Sequence, residues 1–272
     1  MNKQVGISLV ELMISMTLGL VLTLGIFSLF ATSQRSYQTM RELTQMQENA
    51  YFAFNFLAEP LREVGFFQGC PVAINVEAPS NEWHNFHKNP VQRTSDGSLR
   101  IRSPDVSQAT NVTLVVAETV TVSDIPDNLS ANDPVLMISR DCSSAVFSRV
   151  SEINANNSTI TLNSDGLVSS ILYPLRDQVF SITTNSEGIP QLVRDGDPLV
   201  TGVRDLKLRA INHNSDRDSG VLRASQYSDV FNETTIGVEM HLEMISESGL
   251  DDGDQVVRTF TQTIAMRNRQ VQ

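Results

Sequence analysis

Gly6-Ile-Ser-Leu-Val-Glu11-Leu-Met-Ile-Ser15 opens a long apolar run near the start of the chain. A short polar leader, residues 1–6, precedes it with Lys3 as its one charge, and no charged residue occurs from Leu12 to Gln34. About 23 residues at 1.5 Å each make about 34 Å of helix, enough to cross a hydrocarbon core of about 30 Å. Glu11 is the exception in the run. A carboxylate inside a membrane segment costs about 3 kcal/mol on insertion scales, so a glutamate there marks a functional residue. A secretory signal would have an apolar core of about 7–15 residues and a small-residue cleavage site. This run is longer and leaves through Phe30-Ala-Thr-Ser-Gln34, which has no such site. A plain single-span anchor would leave the Gly6–Ile7 junction and Glu11 as unrelated accidents.

The helix is expected to continue past the membrane, because no proline occurs between Ile7 and Glu59 and the first is Pro60. Met40, Leu43, Ala50, Phe54, Leu57 and Leu61 fall at three- and four-residue steps, with Gln47 as a polar break. Arg41, Glu42, Gln45, Glu48 and Asn49 take the opposite face. That pattern predicts an amphipathic half for packing against a globular domain. The reading is therefore one helix over 7–64, with residues 7–34 in lipid. The aromatic cluster Tyr51, Phe52, Phe54 and Phe56 reads as core rather than as a ligand box. Gly65 and Pro71 stop the helix.

Residues 65–272 form the head. Residues 75–98 are loop-like, and β-branched runs take over afterwards: Asn111–Val116, Pro134–Ser139, Ser158–Leu162, Asp177–Thr184, Val203–Arg209 and Gly237–Met244. In the last run Val238, Met240, Leu242 and Met244 alternate with Glu239, His241 and Glu243, the mark of a half-buried strand. Asn156-Asn157, Ser164–Gly166, Ser186–Gly188 and Asp195-Gly196 supply turns. An α-spine followed by an antiparallel sheet is an α+β layout.

Composition narrows the function. Forty per cent hydrophobic and 19% charged content is ordinary for a globular head. A net charge of −11 without a basic patch argues against nucleic-acid binding. Cys70 and Cys142 are the two cysteines; on a periplasmic side they read as one disulfide, and otherwise as two buried thiols. No nucleophile elbow, phosphate loop, C-x-x-C or H-E-x-x-H motif is present, so no catalytic residue or cofactor is assigned and the chain reads as a non-enzyme. His84 and His87 lack a third ligand at recognisable spacing. Asn214-x-Asp216-x-Asp218 starts like a calcium loop, but Ser219 replaces the turn glycine and Ser225 the bidentate glutamate. Asp251-Asp-Gly-Asp254 reads as an acidic hairpin, and no metal site is assigned.

The leader, Gly6, Glu11 and the span together resemble a type IV prepilin signal. The resemblance implies that a prepilin peptidase of the inner membrane cuts after Gly6 and N-methylates Ile7, which places Glu11 fifth in the mature chain. Ile7 departs from the phenylalanine or methionine usual there. Leu61-Arg-Glu-Val-Gly-Phe-Phe-Gln-Gly-Cys70, Arg140-Asp-Cys-Ser-Ser-Ala-Val-Phe147, Leu192-Val-Arg-Asp-Gly196, Leu199–Leu206 and Phe260–Arg269 resemble the PilW family of minor pilins, related to J-type pseudopilins of type II secretion. The implied fold is a long N-terminal helix on an antiparallel β-sheet head. The implied function is to initiate type IV pilus assembly and sit at the pilus tip. The implied partners are other minor pilins, the major pilin and the inner-membrane assembly platform. The implied location is the inner membrane with a periplasmic head, then the surface pilus. Lys3 supports a cytoplasmic leader, whereas Arg35 and Arg41 on the far side do not add to the orientation. Two other functions fit the same anchor: a J-type pseudopilin, and a periplasmic binding domain that never polymerises.

Overall fold

The helix α1 (Leu9–Glu63) runs for 55 residues, about 82 Å at 1.5 Å per residue. The computed structural model describes residues 9–65, 70, 76–77, 86, 90–212, 227–228, 231, 235–246 and 256–266. Pro60 lies in the last turn of α1, and Gly65 follows at φ +68°, a left-handed position that glycine takes without a Cβ penalty. The buried face of α1 is Met46, Ala50, Ala53, Phe54, Leu57, Ala58 and Leu61. The three- and four-residue spacing is therefore the one the sequence shows, but its membership differs. Met40 is 67% exposed and stands below the head. Of the four aromatics read as core only Phe54 is buried; Tyr51, Phe52 and Phe56 are exposed. At 100° per residue these three lie about 100° or more from the midline of the buried stripe, so periodicity decides against their hydrophobicity.

The described strands up to the middle of the head are β1 (Val76–Glu77), β2 (Val91–Arg93), β3 (Leu99–Pro104), β4 (Thr110–Val116), β5 (Thr119–Val122), β6 (Pro134–Ser139), β7 (Ala145–Asn154) and β8 (Thr159–Leu162). The rest are β9 (Ser170–Thr184), β10 (Pro190–Arg194), β11 (Asp197–Thr201), β12 (Val203–Asn212), β13 (Tyr227–Ser228), β14 (Thr235–Ile245) and β15 (Val257–Ala265). Every pairing among them is antiparallel except β1 on β7. The molecule is thus α+β with a pilin-like architecture, a long apolar N-terminal helix packed on antiparallel sheets.

Two sheets meet α1. In the first, β2, β3, the second half of β9, β10 and β11 lie in that order; the second runs β13-β12-β14-β15. The helix touches β3, β11, β14 and β15. Leu57 and Leu61 share one core with Ile101, Phe180, Leu192, Met240 and Leu242. Gly202 joins the sheets at φ +79°: its N–H donates to Pro190 O (2.7 Å) and its carbonyl accepts from Ile245 N–H (2.8 Å).

Between β3 and the second half of β9 the chain leaves the helix, builds a separate layer and returns. Asp105 N–H donates to Pro174 O (2.7 Å) at the neck. Beyond it the ladders form a ring, β4-β5-β8-β7-β6-β9, which closes at Thr110↔Leu172 and Asn111↔Ile171. This is a six-stranded barrel with a Greek-key connection, since β5 lies beside β8 of the β6-β7-β8 meander. Val120, Val135, Met137, Ile160, Leu162 and Leu172 fill its interior. β6 is buried on both faces: Val135 and Met137 point into the barrel, while Leu136 and Ile138 pack outside it with Val76, Phe86 and Tyr173. That explains its unbroken apolar run, Val-Leu-Met-Ile.

Candidate functional site: the long N-terminal helix and its junctions with the head

The first three turns of α1 carry the only acidic residue of the apolar segment. Glu11 lies in the first described turn, where the helix dipole favours an anion. The next charged residue along α1 is Arg35, 24 positions on, about 36 Å away along the axis. No cation of the helix itself can therefore neutralise Glu11 within the apolar stretch. The apolar residues around it, among them Leu12, Ile14, Leu18 and Val21, are exposed, so nothing described in the head covers this segment. Three hydroxyls within it bond the helix's own backbone: Ser15 donates to Glu11 O (2.8 Å), Thr17 to Ile14 O (2.9 Å) and Thr23 to Gly19 O (2.8 Å). In an apolar medium such bonds remove most of the cost of a buried hydroxyl, whereas a carboxylate stays expensive there. Gly6 and Ile7, where the prepilin resemblance implies cleavage, lie outside the described residues.

Where α1 enters the head it is fastened by polar groups at two levels. Asn49 Nδ2 donates to Thr201 O (3.2 Å) on β11. Ten residues on, Glu59 pairs with Arg176 (3.5 Å), which also pairs with the largely buried Asp105 at the barrel neck. The helix thus joins the sheet and the base of the barrel without a linker. Between these levels an open groove of about 340 Å³ runs along α1 and β11, lined by Phe52, Phe56, Pro198 and Leu199. Sequence reading misses both fastenings, because partners so far apart in the chain leave no local pattern.

The disulfide is formed. Cys70 and Cys142 are bridged with Cα atoms 5.4 Å apart. Cys142 sits in the β6–β7 turn at φ +59°, and Cys70 is buried against the outside of β6 with Tyr173 and Ala145. Beside it, the hydroxyls of Ser139 and Ser143 and the Ser143 N–H hold the Asp141 carboxyl down at about 2. In the same cluster burial pushes the Tyr173 phenol up to about 12.

The chain matches no family model and no curated protein. Among the described residues no three His, Cys, Asp or Glu side chains stand close enough to hold a metal ion. His84, His87 and the acidic segments 214–218 and 251–254 lie outside the described residues.

Proposed function

We propose that this chain is a type IV minor pilin of the PilW kind, cleaved after Gly6, anchored by the first half of α1 and assembled through Glu11. The observation that carries the proposal is the continuity of α1. A 55-residue helix carries an uncovered apolar half directly into the head core, where Leu57 and Leu61 are buried and Asn49 and Glu59 add polar contacts. A membrane-anchored binding module that works alone gains nothing from such a rigid spine. A subunit that must leave the bilayer and stack on neighbours does. Glu11 supports the same reading, since an ionised carboxylate in lipid is costly unless a cation stands beside it, and the free α-amine of a cleaved chain supplies one. Tyr51, Phe52 and Phe56 add an aromatic surface on the outward side of the spine for a neighbouring helix.

The test has two arms. Mass spectrometry of the chain from cells with prepilin peptidase should find an N-terminus at methylated Ile7. A mature chain that still begins at Met1 refutes the proposal. Glu11→Ala should insert and be cleaved normally but fall at least several-fold in pilus incorporation, with protein retained in the inner membrane. Glu11→Gln keeps the size and hydrogen-bonding capacity without the ion pair, and should behave as alanine does. Wild-type incorporation of the alanine variant would remove the assembly role from Glu11.

A further inference from the structure

We infer that β15 is a strand-addition site, and that its occupant is an extended segment of a different protein with apolar and basic residues in alternation. The ladder geometry sets up the opening. Met266 N–H donates to Ile236 O (2.9 Å) and Ser246 N–H to Val256 O (3.0 Å), so the even-numbered residues of β15 are the ones bonded to β14. The N–H and C=O groups of Val257, Thr259, Thr261, Thr263 and Ala265 consequently point away from the sheet. Among the described residues nothing pairs with them. Thr259, Thr261 and Thr263 are exposed.

Other edges in the described fold are closed or guarded, and β15 is not; the stretch of β12 that β13 leaves unpaired carries Arg204 and Lys207 and gives its Leu206 carbonyl to Arg93 (2.7 Å). The barrel strands close on one another. β11 carries Asp197 and Pro198 and gives its Thr201 carbonyl to Asn49. β1 and β13 are two residues long, and β2 three. By contrast β15 holds a nine-residue ladder without a bulge, proline or lysine, and its one charge is Arg258. Edge strands normally carry such guards because a bare one recruits another strand.

The surroundings choose the occupant. On the helix side an added strand meets Phe260 and the buried Ile264, which ask for apolar residues. On the other side it meets Thr259, Thr261 and Thr263, with Glu239 and Glu243 one strand further in and the cations Lys207 and Arg209 further still. Those carboxylates lie about 10 Å from an added strand, two strand spacings, which a lysine and a glutamate bridge together. Glu239 is engaged by His241 (2.7 Å) and Glu243 by Arg204 (3.3 Å), and both pairs are partly exposed. A second copy is a poor occupant. Antiparallel self-pairing needs a two-fold axis normal to the sheet, which reverses α1 and sets two anchors in opposite directions. A two-fold along the strands sets each residue level with its copy but facing the other side, which the pleat forbids. Only this choice of occupant rests on the anchored reading proposed above.

The experiment uses the full chain in detergent micelles and a fluorescent nine-residue peptide of alternating lysine and valine. Anisotropy should show saturable binding, and hydrogen exchange at Thr259, Thr261 and Thr263 should be fast in the free chain and slow in the complex. Thr259→Pro removes an outward N–H that β14 does not use, and should weaken binding at least tenfold. Thr259→Val should bind as the wild type does. Thr263→Pro repeats the test at a second position if the first variant fails to fold. Equal binding of a peptide with the lysines and valines in separate blocks, or undiminished binding by the folded proline variants, would mean adhesion of a cation to an acidic protein and overturn the inference. Protected outward amides in the free chain would overturn it too, since the chain would then cover its own edge. No pilus is needed for any arm, so the result stands apart from the fate of Glu11 in assembly.

Discussion

Gly202 shows how much one residue carries in this fold. At φ +79° an L side chain is strained, and an added Cβ would stand 2.8 Å from Ile245 O, a backbone atom at the end of β14 whose own N–H bonds the Gly202 carbonyl. Gly202→Ala should therefore destabilise the head by about 1–3 kcal/mol from the backbone strain alone, read as a lower urea midpoint for the chain in micelles. Asp141 offers a titration at the same scale. Its folded carboxyl is held at about 2 against an ordinary 3.8, so the native state binds this proton less readily than the unfolded chain does. Its contribution to stability is complete above pH 4 and is lost as the pH falls toward 2. Following the carboxyl carbon by NMR should give a midpoint near 2, and Ser143→Ala should move it upward because a hydroxyl donor to the carboxylate is lost.

At the scale of elements, α1 presents two apolar surfaces with different consequences. Leu57 is fully buried against the sheets, whereas Phe52 is 54% exposed beside the groove at β11. Leu57→Ala should cost about 2–5 kcal/mol through lost burial and a residual cavity. Phe52→Ala should change the unfolding midpoint little. If the outward aromatics serve assembly, the second substitution instead lowers incorporation into pili at unchanged stability. Urea titration and a count of the subunit in sheared pili separate the two effects. A large loss of stability in Phe52→Ala would show that the groove is part of the head's own packing.

For the whole molecule, the disulfide ties the segment after α1 to the barrel. Cys70 follows the helix by a few residues and Cys142 belongs to the β6–β7 turn, 72 positions away. In the chain-entropy account, closing such a loop stabilises by about 4 kcal/mol. Cys70→Ser with Cys142→Ser should lower the thermal midpoint of the head. The loss should centre on β1, β6 and the start of β7, where the bridged cluster packs, and amide exchange would localise it there. The sheets on α1 share a separate core with the helix and should keep their protection. Uniform loss of protection across the head would show that barrel and helix-bound sheets unfold as one unit.

The N-terminal half was legible because its signals are local. Length and absence of charge define the apolar segment of the helix, the lone Glu11 stands out against it, and a three- and four-residue stripe marks the helix face that meets the head. Turn residues and the alternation of Val238, Met240, Leu242 and Met244 announced β structure for the same reason: a strand's two faces are written in adjacent residues. Local pattern could not choose between aromatics on one helix. Phe54 is buried and Phe52 is not because the sheets approach from a single direction. Nor could it show that the ladders return on themselves through Thr110↔Leu172 and Asn111↔Ile171, or that Arg176 bridges Glu59 and Asp105. Those contacts join residues far apart in the chain, and their energy depends on where the intervening segments turn. Amino-acid order fixes the period of each element; the packing of all elements together decides which edges close, and among the described residues none pairs with the outer side of β15.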